Sequence, residues 1–282
     1  MIIWIASYPK SGNTWVRSLL ASYLYSNNGV FNFDLLKKIK QFPSKQYFEF
    51  FLKDFTDIKK ISDYWIAAQE RIRLFNKETI FLKTHSALCT LENNPFTNKR
   101  NTKAVIYIVR DPRNVITSLS YHNSLSILDA LDFITDSNQM SVRNEWGGKE
   151  FGIATLLGSW SDHLKSWRNL NFAPILIVRY EDLINDTKKT FLSILNFLNN
   201  LMEIKINEKK IINTIDSCRF DVLSNKEKNE GFIESVTHKE SKKRLKFFNL
   251  GKKNDWKNLL DPKIEEQIRF KFNKEMKELG YN

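Results

Sequence analysis

The chain opens "MIIWIASYPKSGNTWVRSLLASYL" (residues 1–24), and the stretch that decides the fold is "SYPKSGNTW" (residues 7–15). Apolar, β-prone residues from Ile2 to Ile5 end in Ser7-Tyr8-Pro9, and an amphipathic segment follows almost at once. Pro9 has no N–H to give a strand ladder, so the strand stops there. Gly12 has no Cβ, so backbone amides at that point can approach a ligand closely. Thr14 reads as the N-cap of a helix that buries Val16, Leu19, Leu20, Tyr23 and Leu24. The free N–H groups of the first turn, the positive end of the helix dipole and the charge of Lys10 together favour a phosphate-like anion. The competing reading is an ordinary strand-to-helix turn with a solvated lysine. The loop is not G-x-x-x-x-G-K-[ST], because Lys10 precedes the glycine; this disfavours an ordinary ATPase or GTPase.

Length and composition fit a soluble α/β protein of 282 residues, 42% of them hydrophobic, read as one domain over 1–282. No apolar run reaches the roughly 18 residues that span a bilayer, so no membrane insertion is expected. The start of the chain lacks a charged region followed by an apolar one, and the first strand leaves no room for a targeting segment. Cys89 and Cys218 are the only cysteines and have no metal-like spacing, which implies reduced thiols and a cytoplasmic location. The net charge of +12 suits nucleic acid, small anionic substrates or a merely lysine-rich surface. No zinc finger, RNP-type aromatic run or clear helix-turn-helix supports the first, so no nucleic-acid partner is expected.

Strand-like runs occur at Ile2–Ala6, Thr79–Lys83, Ala104–Val109 and Ile175–Val178. Helical patterns lie at Thr14–Asn27, Ser62–Asn76, Arg113–His122, Ile153–Asn169, Thr187–Leu198 and Pro262–Leu279. Short, unalternating strands between helices predict a single α/β domain with a central parallel sheet flanked by helices. Ligands of such sheets bind at the carboxyl ends of the strands. Here those ends carry Lys10, "FLKTHS", "YIVRDPRNVITSLSYH" and "IVRYEDL", so four strands deliver polar groups to one edge.

In "LKTHS", Lys83 and His85 are two apart and can point the same way. A neutral imidazole there can take a proton from an alcohol or phenol, and Lys83 disfavours its charged form. The other reading is a surface lysine with a core or capping histidine; His122, His163 and His238 have no such neighbours in sequence. In "VRDPRNVITS", Asp111 caps a helix and Pro112 suits its first position, while Arg110 and Ser118 can grip a second phosphate. Taken alone, that segment is better explained as a helix start with a salt-bridged arginine. Glu181 and Asp182 cap the next helix or pair with Arg179, and Tyr180 can meet a nucleotide.

"YPKSGNTW", "LKTHS", "VRDPRNVITSLSYH", "RYEDL" and "LGKKNDWKN" stand in the order and spacing of the cytosolic-type sulfotransferases, which the chain resembles over nearly its whole length. The resemblance implies transfer of a sulfonate from 3′-phosphoadenosine 5′-phosphosulfate (PAPS) to a hydroxyl or amine, leaving 3′,5′-bisphosphoadenosine (PAP). It implies a P-loop-like cradle in which Lys10, Ser11, Gly12, Asn13 and Thr14 hold the 5′-phosphosulfate, with Lys10 on the bridging oxygen. Trp15, Phe220 and Tyr180 would meet the adenine, and Arg110 and Ser118 the 3′-phosphate. His85 would deprotonate a small organic acceptor, and Lys83 would stabilise the sulfonate in flight. Gly251 and Lys252 would close the nucleotide site. In-line transfer of this kind rests on positioning and electrostatics, so no metal is required and activity without magnesium is expected.

The chain departs from the family at two places. Asn13 replaces the first threonine of S-G-T-T-W, and its amide is expected to donate to the ligand in the threonine's stead. Asn249-Leu250-Gly251 stands where Arg-Lys-Gly is usual, so the 3′-phosphate loses partners unless Lys246, Lys252 or Lys253 substitutes. The family's dimerisation pattern is not recognisable, which leaves the oligomeric state open. Phe31, Phe33, Phe42, Phe48, Phe50, Phe51, Phe55 and Trp65 are read as lining or covering the acceptor pocket, together with Tyr121 and Trp146, against the competing reading that many of these phenylalanines are simply core. The Lys- and Asn-rich composition suggests an AT-rich microbial genome. A phosphotransferase of related fold and a non-catalytic anion or nucleic-acid binder are the alternatives; preference for ATP with magnesium would favour the former.

Overall fold

Every residue of the first strand, β1 (Ile2–Ser7), is buried, which is what a central strand covered on both faces requires. The structure, a computed structural model, describes residues 1–76, 78–141, 153–238 and 241–281. Four further strands join β1: β2 (Lys40–Gln41), β3 (Ile80–Thr84), β4 (Thr102–Val109) and β5 (Ile175–Arg179). They form one parallel sheet in the order β2-β3-β1-β4-β5. Its principal helices are α1 (Asn13–Tyr25), α2 (Trp65–Phe75), α3 (Pro112–Asn123), α4 (Ile127–Thr135), α5 (Trp160–Arg168), α6 (Thr187–Asn199), α7 (Glu208–Ser217), α8 (Phe220–Glu230) and α9 (Pro262–Glu278).

Alternation along the strands separates two cores. Ile2, Trp4 and Ala6 join Val105, Tyr107 and Val109 on one face, under Trp65, Trp160, Trp167 and Phe272 from helices α2, α5 and α9. Ile3 and Ile5 join Ala104, Ile106 and Ile108 on the other, under Leu19, Leu20, Phe191 and Ile194 from α1 and α6. Trp4 keeps its polar atom satisfied inside the first core, its Nε1–H donating to Thr102 Oγ1 at 3.0 Å. The in-register pairing of Ala6 with Thr84 and of Ser7 with Ile108 brings the carboxyl ends of β1, β3 and β4 to a common edge.

The fold class is the one expected, a single α/β domain on a parallel sheet, with local corrections. The residue capping α1 is Gly12 and not Thr14, whose hydroxyl is turned to another partner. The helix expected over Ile153–Asn169 begins only at Trp160. Gly158 takes a left-handed φ of 65°, and Ser159 accepts the Asp162 N–H as N-cap. Residues 155–156 instead pair antiparallel with 140–141. The helix expected from Ser62 starts at Trp65, after a separate short helix at Ile58–Ser62. The edge strand β2, two residues long, leaves no periodic trace to read. Trp146 lies outside the described residues. Among the described residues no helix is long and apolar enough to cross a membrane.

Asp111 caps α3 as expected, accepting the Arg113 N–H at 2.9 Å. The same carboxylate pairs with the buried Arg113 guanidinium at 2.8 Å, which also reaches Glu265 of α9 at 3.0 Å and stacks 3.9 Å from the Trp256 ring. Removing one side of such a buried pair leaves an uncompensated charge. Arg113→Met is therefore expected to lower stability by about 3–5 kcal/mol in urea unfolding. A loss below about 1 kcal/mol, the scale of an exposed pair, would contradict this.

Candidate active site

The turn from β1 into α1 is built by two left-handed residues, Lys10 (φ 65°) and Gly12 (φ 99°). A Cβ on Gly12 would sit 2.4 Å from Cδ2 of Tyr180, so the close approach of that ring is a second reason for glycine. The N–H groups of Trp15 and Val16 return to the Gly12 carbonyl. The amides of Asn13 and Thr14 precede these bonds, at the positive end of the helix. Ser11 lies beneath the turn, fully buried, with an unpartnered Oγ. Arg110 braces the turn from β4, with Nη1 donating to the Lys10 carbonyl at 3.0 Å and the guanidinium 4.3 Å over the Tyr180 ring. Its Nε is buried and unpartnered.

Asn13 does not serve as expected. Its Nδ2 donates inward to the Ile5 carbonyl at 3.0 Å and to Ser7 Oγ at 3.2 Å, so the amide ties the turn to β1 and has no donor left for a ligand. Ser7 carries the connection onward to His85. Nδ1 of His85 lies 2.8 Å from the Ser7 carbonyl and 3.3 Å from its hydroxyl. A carbonyl only accepts, so the proton is on Nδ1 and the lone pair is on Nε2. The backbone of His85 is fixed in turn by His163. His163 donates its Nε2–H to the His85 carbonyl at 3.0 Å and accepts the Tyr107 hydroxyl at Nδ1, at 2.8 Å. His163 therefore has a neighbour that the sequence concealed. Burial pushes its pKa down to about 4, outweighing its carbonyl partners. His85 is held well below the ordinary 6.5, by burial first and by the Lys83 charge second, against the pull of the Ser7 carbonyl and Glu234.

These groups share one cavity of about 1750 Å³. Lys10, Gly12, Asn13, Thr14, Trp15, Lys83, His85, Arg110, Ser118, Tyr180, Phe220, Gly251 and Lys252 all line it, and of the catalytic and nucleotide-cradle residues read from the sequence only Ser11 does not. Trp15 stands edge-on to Tyr180 at 5.8 Å, its Nε1–H held by the Cys218 carbonyl at 2.9 Å. Gly251 (φ 55°) is pressed on the Phe220 ring, which would lie 2.8 Å from an added Cβ. Of the substitutes considered for the missing Arg-Lys pair, Lys252 and Lys253 line the cavity and Lys246 does not. Most of the predicted acceptor wall belongs elsewhere. Phe31, Phe42, Phe48 and Trp65 are core, Phe51 and Phe55 pack against it, and Phe50 is exposed; Phe33 and Tyr121 remain as cavity walls.

The sequence reading missed Arg17, Arg244, Phe247 and Glu234, all of which line the cavity. Arg17 left a trace, a cation on a buried helical face beside Val16 and Leu19. It donates to the Leu36 and Ile39 carbonyls and to Glu234, the last at 2.6 Å. Lys10 Nζ lies 4.3 Å over the Phe247 ring. Glu234 comes from a segment with no motif and left none.

The sulfotransferase domain family matches residues 2–280. Among relatives, the chain is 25% identical to luciferin sulfotransferase of Photinus pyralis, a match covering 78% of this chain and 56% of that protein. It is 26% identical to flavonol 3-sulfotransferase of Flaveria bidentis, over 94% of this chain and 78% of that one. Mouse sulfotransferase SULT7A1, solved in complex with PAP, shares the fold with a TM-score of 0.58 at 22% identity, covering 98% of this chain and 84% of the other. The turn, the paired Lys83 and His85 and the Arg110 helix start thus occur in a family match that runs almost end to end, and the chain belongs to the sulfotransferase domain family.

Proposed function

We propose that this cavity transfers the sulfonate of PAPS to a hydroxyl or amine of a small organic acceptor, with His85 as the base. The observation that carries the proposal is the tautomer of His85: Nδ1–H is spent on the Ser7 carbonyl, and the basic Nε2 remains for the cavity that Lys10, Lys83 and the α1 amides line. The fit to the donor rests on features of this chain. They are a turn that admits no Cβ at Gly12, an arginine with a buried unpartnered Nε and aromatic faces at Trp15, Tyr180 and Phe220. The α1 amides and Thr14 receive the 5′-phosphosulfate, Arg110 and Ser118 the 3′-phosphate, and the three aromatic side chains the adenine. Lys252 and Gly251 complete the nucleotide side.

His85 takes the acceptor proton on Nε2 as the acceptor oxygen or nitrogen bonds to sulfur. The bond from sulfur to the bridging oxygen of the donor breaks, and Lys10 meets the charge that collects on that oxygen as PAP leaves. Lys83 offsets charge on the peripheral sulfonate oxygens. A preorganised donor of this kind contributes about 3–4 kcal/mol to the transition state. The free thiols of Cys89 and Cys218 accord with a cytoplasmic setting.

His85→Ala is expected to lower kcat by about 10²–10⁴-fold while leaving PAP affinity unchanged, measured by turnover and calorimetry with the same preparation. Retained turnover would remove His85 from the role of base.

The pH dependence has a definite sign. The folded imidazole binds its proton more weakly than the unfolded chain does, so its contribution to stability is full above about pH 6.5 and lost as pH falls. The base is correspondingly neutral throughout the neutral range. The acid limb of kcat/KM is expected below 6.5, the ordinary histidine value, and a limb at or above it would contradict the assignment.

A further inference from the structure

Glu234 is 3% exposed and sits inside the anion cradle. Its Oε2 accepts the Thr14 hydroxyl at 2.8 Å, its Oε1 accepts Arg17 Nη1 at 2.6 Å, and the same oxygen lies 3.6 Å from Lys83 Nζ. Thr14 and Lys83 are the groups assigned above to the phosphosulfate. A hydroxyl has one hydrogen to donate, and that of Thr14 is given to Glu234. A carboxylate and a phosphosulfate cannot both take it, and two anions in reach of one hydroxyl repel each other.

We propose that Glu234 is the cradle's resident anion and sets the affinity for the donor, which binds by displacing this carboxylate from Thr14 and Lys83. The inference rests on the donor reading above. Phe232, two residues earlier, is held among Phe33, Phe247 and Phe248, with ring centroids 4.8–5.4 Å away, so the backbone beside Glu234 is anchored and the displacement falls to its side chain. Arg17 keeps the two bonds of Nη2 to the Leu36 and Ile39 carbonyls, at 3.4 and 3.0 Å, while its Nη1 gives up the carboxylate. The apparent affinity is the intrinsic affinity reduced by the fraction of molecules in which the carboxylate has swung away. The rest of the molecule has no comparable internal mimic among the described residues: the other buried carboxylates serve helix caps, backbone amides or pairs remote from the turn.

The test is titration calorimetry of the full chain with PAP, for the wild type, Glu234→Gln and Glu234→Asp. Glutamine keeps the shape and removes the charge; aspartate keeps the charge but falls short of Thr14. Glu234→Gln is expected to lower the Kd about tenfold, within the usual range of coupling between two sites, and Glu234→Asp to lower it less. If Glu234→Gln does not fold, a tighter Glu234→Asp supports the proposal by itself. Unchanged or weaker binding by the folded variants, with clear binding by the wild type, would overturn it and make Glu234 a fixed strut for Arg17 and Lys83. No binding by any of the three proteins would overturn the donor reading and this inference with it.

Discussion

The site depends on one local constraint: the chain must reverse direction between β1 and α1 in the space of a few residues. Two left-handed positions achieve it, and one of them is a lysine, at a cost of about 1 kcal/mol that a glycine would not incur. The surroundings determine this geometry from three sides. Asn13 ties the turn to the Ile5 carbonyl, Arg110 holds the Lys10 carbonyl, and Tyr180 leaves room only for a hydrogen at Gly12. A strained turn so heavily braced keeps its amides aimed at one point without rearrangement when an anion arrives.

The same braces couple the cradle to the base. Asn13 reaches Ser7, Ser7 fixes the tautomer of His85, and His163 with Tyr107 holds the His85 carbonyl. Each link is a hydrogen bond between buried or half-buried groups, where satisfied networks are stiff and broken ones are costly. The parallel sheet makes this possible by delivering β1, β3 and β4 in register to one edge.

What the sequence made legible follows from the range of the interactions involved. Continuous apolar runs ending in charged residues announced both the sheet and the edge where Lys10, Lys83, His85 and Arg110 meet, because strand burial and strand ends are local properties. The role of Asn13 was misread since residue type gives the donors of a side chain but not their direction. Of the seven phenylalanines between 31 and 55 and Trp65, each open to a pocket or a core reading, only Phe33 lines the cavity. Hydrophobicity is the same for a core residue and a cavity wall. Glu234 was out of reach altogether, since its bond to Thr14 joins residues 220 positions apart. The late start of α5 is a local property and legible as such, because Gly158-Ser159 with Asp162 is a helix-start pattern.

In the proposed function one cavity grips two separate anions of a nucleotide, at the α1 turn and at Arg110 with Ser118, although Asn249-Leu250 replaces the usual cations. Calorimetric titration of the wild-type chain with 3′,5′-bisphosphoadenosine and with adenosine 5′-monophosphate isolates the second grip, because the ligands differ only in the 3′-phosphate. The bisphosphate is expected to bind tighter by about tenfold or more, the yield of one or two charge-assisted hydrogen bonds. Equal affinities would contradict it.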